Sequence, residues 1–380
     1  MIYLDNAATT FHKPPTVNKK LSYAMQRFGA NAGRGGHKLA VAASEMIYDT
    51  AALIAELFNI ENPENIAFTH NATMALNMAI KGVLTESDHV IITSMEHNAV
   101  ARPIWSAAKN NHTMVWANDK GYVNITDIAE SIMPNTKLIV CNHASNVCGS
   151  VQNIAEIGQL AKARGILLLV DSAQTGGILP IDVEAQCIDL LAFAGHKALM
   201  GPQGTGGLYI NDKLTLKTIF EGGSGNESQN LFQPDHMPDR LVAGTMNMPA
   251  IAALGEGVRF VLKTGINNIY AHEMMLTKRL IEGLGNMENV KIYGSTDMQD
   301  RVGVVSFNIE GMDSVEVCTM LDSDYDIASR CGLHCAPLAH KTLGTSESGT
   351  VRISIGYYNT NSEIDKTLQA ISKIAKSSTR

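Results

Sequence analysis

Residues 167–177, LLLVDSAQTGG, decide how this chain is to be read: four apolar residues, then a carboxylate, then a run of small residues. The apolar run suits a strand buried on both faces. A carboxylate at the end of a parallel strand commonly faces a ligand crevice, although Asp171 would serve equally as a helix cap. Twenty-six positions after Asp171, in FAGHKALMGPQG (193–204), Lys197 follows a second apolar run and a Gly-His pair. A lysine so placed loses hydration, which lowers its amine pKa and fits it to form a Schiff base with a carbonyl compound. A surface lysine on a glycine-rich turn is the other reading of those twelve residues alone.

The surrounding pattern favours the crevice. From about residue 40 to 210, strand-length apolar runs (65–69, 89–93, 113–117, 137–142, 166–171, 190–194 and 207–210) alternate with segments of helical period at 72–83, 99–111 and 154–164. Such alternation predicts β-α-β units and an α/β fold with a mainly parallel, seven-stranded sheet. Residues 221–248 are polar and read as a long irregular connection, of a length that is usually functional. One long helical region is expected from 249 to about 286. Beyond it, strands at 302–308 and 351–354 and helices at 314–322 and 362–375 predict a small α+β C-terminal domain. We divide the chain into an N-terminal segment (1–20) that packs with the small domain, a large domain (21–260), and a linking helix with the small domain (261–380).

The chain has 380 residues, enough for a substantial core. Thirty basic against 37 acidic side chains, with no long charge run, disfavour a nucleic-acid surface or a polybasic membrane anchor. The first residues do not read as a signal peptide and no run approaches a membrane span, so a cytoplasmic protein is expected. Six cysteines are too sparse for a disulfide framework in a chain this long.

Two further stretches add chemistry. Strand 66–69 runs into His70-Asn71-Ala72-Thr73 and a helix, so free N–H groups and the Thr73 hydroxyl would form a phosphate site, though an ordinary Asn cap explains the same residues. A strand-end aspartate, a further strand and then Gly-His-Lys form the pattern of a pyridoxal-phosphate enzyme, in which the carboxylate pairs with the ring nitrogen.

YLDNAATT (3–10), RGGH (34–37), NATMALN (71–77), MEHNA (95–99), NHASNVCG (142–149), VDSAQ (170–174), AGHK (194–197), AGTMN (243–247) and RISIGYYNT (352–360) occur in order. Together they resemble the cysteine desulfurases of the class V aminotransferase superfamily over nearly the whole chain. The resemblance implies a fold-type I, pyridoxal 5'-phosphate-dependent homodimer. It implies that Lys197 binds the cofactor and moves protons at Cα, that Asp171 faces the ring nitrogen and Gln174 the phenolic oxygen, and that His97 stacks on the ring and carries protons. Ala72, Thr73 and His196 would bind phosphate, with Thr245 contributing to the second subunit's site. Asn146 and Arg352 would hold the substrate carboxylate, and Arg330 and His37 would also bind substrate.

SRCGLHCAP (329–337) matches the family's R-x-G-x-H-C pattern and makes Cys335 the sulfur acceptor, with Arg330 and His334 placed to favour a thiolate. Its short spacing to Arg352 resembles the group that includes selenocysteine lyase, so L-selenocysteine stands beside L-cysteine as substrate; a cofactor-bound scaffold that only docks a sulfur-acceptor protein is a lesser alternative. Ala194 departs from the serine common in relatives, which removes one expected phosphate contact, and residues 221–240 depart from the family's hairpin. Cys331, four positions before Cys335, suggests a resolving thiol; a metal site with His334 and His340 is disfavoured by the loose spacing.

Overall fold

The computed structural model describes residues 1–33 and 35–377; Arg34 of the RGGH motif lies outside the described residues. In chain order the elements are β1 (Ile2–Tyr3), α1 (Pro15–Arg27), α2 (Lys38–Phe58), β2 (Ile66–Thr69), α3 (Ala72–Val83), β3 (His89–Thr93), α4 (Asn98–Ala107) and β4 (His112–Val115). Then come α5 (Ile125–Glu130), β5 (Thr136–Asn142), α6 (Ile154–Ala163), β6 (Leu167–Asp171), β7 (Leu190–Ala194), β8 (Gly206–Ile210), α7 (Met248–Thr264) and α8 (Ile266–Gly285). The C-terminal part contributes β9 (Val290–Tyr293), β10 (Val304–Ile309), α9 (Ser314–Tyr325), β11 (Ile327–Ala328), α10 (Pro337–Thr342), β12 (Val351–Ser354) and α11 (Asn361–Ser377).

The main sheet has seven strands in the order β2-β8-β7-β6-β5-β3-β4. Strands β4, β3, β5, β6 and β7 run parallel, and β8 is antiparallel to both its neighbours. Strands β3, β7 and β8 are buried along their whole length, as a sheet covered by helices on both faces requires. One core layer packs α2, α6 and α7 against it; the other packs α3 and α4. A three-stranded antiparallel sheet, β12-β10-β9, builds the second core with α8, α9 and α11. β1 pairs in parallel with β11, which ties the chain's start to this C-terminal layer.

Several boundaries differ from expectation. The 249–286 helix is two helices, because Gly265 adopts φ 85° between them. Helices α1 and α2 and strand β9 were not anticipated from the pattern; both helices pack on α7, where Ala43 of α2 clusters with Met248 and Ala252 and Thr50 Oγ1 donates to Ile251 O at 3.1 Å. Residues 211–247 carry no helix or strand, in keeping with the irregular connection expected there.

Close packing sets the site's walls. A Cβ at Gly195 would collide with Thr205 Oγ1, and one at Gly206 would sit 2.8 Å from Asn71 Cα. Glycine at these two positions lets β7 and β8 approach the start of α3.

Candidate active site

The C-terminal ends of β5, β6 and β7 and the N-terminus of α3 enclose a cavity of about 210 Å³. Asp171 stands at the last residue of β6, 6% exposed, with Ala173 N–H donating to its Oδ1 at 2.9 Å. Lys197 reaches the same cavity from the turn after β7. Burial pushes the Lys197 amine down to about 8, while the Asp171 charge acts in the opposite direction. Burial raises the Asp171 carboxyl, and the Ala173 N–H and the Lys197 charge offset part of that rise.

At the α3 end, the Asn71 side chain accepts from Met74 N–H at 2.9 Å and caps the helix. Ala72 and Thr73 line the cavity there, where the first-turn N–H groups have no intrahelical partner and the helix dipole is positive. His196 lines it too; its Nδ1 is 3.0 Å from Thr9 Oγ1, which orients the ring. Lys13 Nζ donates to His196 O at 2.8 Å and brings a second amine to this end. Ala194 presents only a methyl group to the cavity.

His97 begins α4, and its Nδ1 accepts from Ala99 N–H at 3.0 Å. That bond assigns the ring proton to Nε2. Burial first, then the charges of Lys197, Arg330 and Arg352, push its pKa down to about 4, so the ring is neutral at physiological pH. Beneath it Glu96 is wholly buried; its Oε1 accepts from Thr93 Oγ1 at 2.7 Å and from Asn142 N–H at 3.0 Å. Glu96 thereby joins the His97 turn to the end of β5, beside Asp171.

Arg352, 1% exposed, donates through Nη1 to Asn146 O at 3.0 Å and through Nη2 to Asp5 Oδ1 at 2.6 Å. Its Nε and Asn146 Oδ1 are buried without a partner, and both side chains line the cavity. Arg330 lines the cavity and extends Nη2 to within 3.5 Å of Cys335 Sγ. Cys335 is exposed at the cavity's outer edge.

Ala72, Thr73, His97, Asn146, Asp171, Gln174, His196, Lys197, Arg330 and Arg352 thus converge on one cavity, with Cys335 at its rim. Thr245, expected to serve a second subunit's site, lines a separate cavity with Phe220 and Met246 and is bonded by Asn31 Nδ2 at 3.4 Å. Two expectations fare differently. His37 is the exposed cap of α2, accepting from Ala40 N–H, and does not line the Lys197 cavity. His334 is turned from the Cys335 thiol: it is buried, its Nε2 is 3.0 Å from Thr350 Oγ1, and burial pushes its pKa down to about 2, so it offers the sulfur no imidazolium charge. Among the described residues no group of His, Cys, Asp or Glu side chains is placed to hold a metal ion. Sequence reasoning passed over Asp5, Glu96 and Asn142, although each stands inside a motif already singled out.

A buried carboxylate and a desolvated lysine facing each other at the strand ends of this mixed sheet define a pyridoxal 5'-phosphate enzyme of fold type I. The chain belongs to the class-V aminotransferase family, whose model matches residues 2–367, and members of that family depend on pyridoxal 5'-phosphate. A probable cysteine desulfurase of Methanothermobacter thermautotrophicus is 34% identical to it over 98% of this chain and 94% of its own. One of Pyrococcus abyssi is 33% identical over 99% and 95%. Among solved structures, the apo cysteine desulfurase of Thermococcus onnurineus NA1 superposes with a TM-score of 0.91 at 30% identity, covering 99% of this chain and 95% of that one.

The residues present fit the cofactor. Asp171 suits a protonated ring nitrogen, the α3 N-terminus suits a phosphate, and the unpartnered Asn146 Oδ1 and Arg352 Nε mark polar groups that await a ligand.

Proposed function

We propose that this protein is a cysteine desulfurase that converts L-cysteine to L-alanine and collects the sulfur as a persulfide on Cys335. The observation that carries this reading is the Arg330–Cys335 contact, which sets a thiol beside a guanidinium at the rim of the Lys197 cavity. A transaminase or a simple lyase has no task for that sulfur.

Bound pyridoxal 5'-phosphate supplies an electron sink for charge that develops at the substrate Cα. Asp171 would hold a negative charge against the ring nitrogen, and Gln174 would bond the phenolic oxygen. Ala72, Thr73 and His196 would hold the phosphate, with Thr245 serving the partner subunit's site in a homodimer. Arg352 and Asn146 grip the substrate carboxylate; Arg352 is already oriented by Asp5, so the fork is set before substrate arrives. Lys197, with its amine near neutrality, takes the Cα proton and returns it to carbon. His97 would stack on the ring, and because its Nδ1 accepts from Ala99 N–H, its Nε2–H is available to hold or pass a proton. Cys335 Sγ then attacks the substrate sulfur: the new S–S bond forms as the Cβ–S bond breaks, and the electron pair stays on Cβ, which is protonated to the methyl group of alanine. Arg330 steadies the charge on Sγ.

We assign residues 1–20, 21–260 and 261–380 to the N-terminal segment, the large domain and the small domain; the β1–β11 pairing supports the first assignment. We place the protein in the cytoplasm, where a sulfur-acceptor protein takes the persulfide. Among the described residues, no helix is long and apolar enough to cross a membrane.

The test compares alanine formation from L-cysteine and from L-selenocysteine with wild type and Cys335→Ala. Loss of activity on cysteine with retention of the cofactor's visible absorbance supports the reading. Undiminished turnover of cysteine by Cys335→Ala sinks it, and turnover confined to selenocysteine reassigns the substrate.

A further inference from the structure

Cys331 has no part in the reaction above, and the structure shows why. Residues 330–332 run antiparallel beside β12: Arg330 exchanges backbone hydrogen bonds with Arg352 (3.2 and 2.7 Å), and Gly332 with Thr350 (3.1 and 3.2 Å). In an extended segment, neighbouring side chains leave on opposite faces. Arg330 turns to the cavity and to Cys335; Cys331 turns the other way and packs on the core formed by β10, β12, α9 and α11.

On that side its neighbour is Cys318 of α9. Cys331 packs on the apolar core to which Cys318 belongs, and its thiol is near enough to perturb that of Cys318; Cys318 Sγ accepts from Ser329 Oγ at 3.3 Å, which ties α9 to the residue two before Cys331, on the same face of the extended segment. Cys318 is buried and Cys331 half-buried, so Cys331 is the more accessible of the two. We propose that Cys318 and Cys331 form a redox-active dithiol, a site of thiol–disulfide exchange with low-molecular-weight disulfides that is separate from Cys335.

The exchange balances in two steps. Cys331 attacks a small disulfide RSSR, forming the Cys331–S–S–R mixed disulfide and releasing RSH. Cys318 then attacks Cys331 Sγ, forming the Cys318–Cys331 bond and releasing a second RSH. Two protein sulfurs are oxidised, one RSSR is reduced, and the two thiol protons leave on the released thiols. The half-buried Cys331 is the sulfur a small disulfide meets first, so the opening attack falls to it, while burial pushes the Cys318 thiol up to about 12. The second step is intramolecular between neighbouring groups, where effective molarities are high.

The test uses the holoenzyme with glutathione disulfide, followed by alkylation under denaturing conditions and peptide mapping by mass spectrometry, so its readout does not depend on desulfurase activity. The expected result is a peptide linking Cys318 to Cys331 in wild type and equally in Cys335→Ala. Cys318→Ser should stop at a glutathione mixed disulfide on Cys331, and Cys331→Ser should lose both products. A Cys331–Cys335 link, a mixed disulfide on Cys331 that persists in wild type, or an unreacted Cys331 would each overturn the proposal.

Discussion

Glu273 offers a measurement of how much this fold spends to bury one carboxyl. It lies on α8, 2% exposed, with Oε2 lacking any hydrogen-bond partner. It lines a small cavity of about 30 Å³ between α8, the 302–304 and 354–356 segments and the Lys197 turn. Burial alone raises its carboxyl from 4.5 to about 8. The folded protein therefore keeps a proton that the unfolded chain has released, so stability falls as pH rises from about 4.5 and levels off near 8. Each pH unit in that window costs about 1.4 kcal/mol, or about 3 kcal/mol by pH 7. Glu273→Gln keeps the shape and has no proton to lose. Urea unfolding of both holoproteins across the window should give a stability difference, variant minus wild type, that grows with pH at about that slope. The Glu96 carboxyl, also raised to about 8, is present in both proteins and cancels. Parallel stability curves would refute the reasoning, because they would mean that Glu273 ionises inside the fold at no cost.

Three further outcomes are expected at the site. Arg352→Lys keeps the charge but loses the guanidinium that bonds Asp5 and would fork the substrate carboxylate, so kcat/KM for cysteine should fall by about tenfold to a hundredfold in steady-state assays, mainly through KM. His97→Asn preserves an N-cap for α4 while removing the ring, so kcat should drop on the order of a hundredfold with little change in the unfolding midpoint. The apoprotein should take up pyridoxal 5'-phosphate faster as pH rises through about 8, because only the uncharged Lys197 amine reacts; Asp171→Asn removes the charge that raises that amine and should move the profile to lower pH.

The parts of this architecture that could be read in the sequence are those where one local pattern has one meaning. Strands β3 and β7 and helix α3 stand where apolar runs and period place them, since burial on both faces leaves no polar alternation to confuse them. The direction of β8 could not be read, because an apolar run carries no sign of whether it pairs parallel or antiparallel. Helix α2 escaped notice because half of its buried residues are alanines, Ala40, Ala43, Ala51 and Ala55, which mark an apolar face weakly. At the site, Lys197 and Asp171 were legible from their positions after buried strands. The Asp5–Arg352 ion pair joins residues 347 apart and has no local signature. Spacing likewise set Cys331 beside Cys335, whereas backbone alternation turns it toward Cys318.

The same loop explains how an exposed thiol can be positioned without a long mobile arm. His334 and Cys335 both adopt left-handed backbone angles, φ 48° and 57°, and Gly332 stands at 90°. Two such residues in succession, neither glycine, persist only where the surroundings over-determine them. Here they do: Asn98 N–H donates to Cys335 O at 2.7 Å, Asn146 Nδ2 donates to His334 O at 2.7 Å, and Arg330 is paired through its backbone with Arg352. Each anchor is itself part of the site or its immediate neighbour. Asn98 follows His97, Asn146 and Arg352 face the substrate carboxylate in the proposed reaction, and Arg330 touches the sulfur. The thiol is therefore held by the groups that would hold the cofactor and substrate, so displacement of any of them moves Cys335 as well. That coupling makes the left-handed turn a positioning device, and its strain is offset by hydrogen bonds that bring the sulfur to the rim of the cavity.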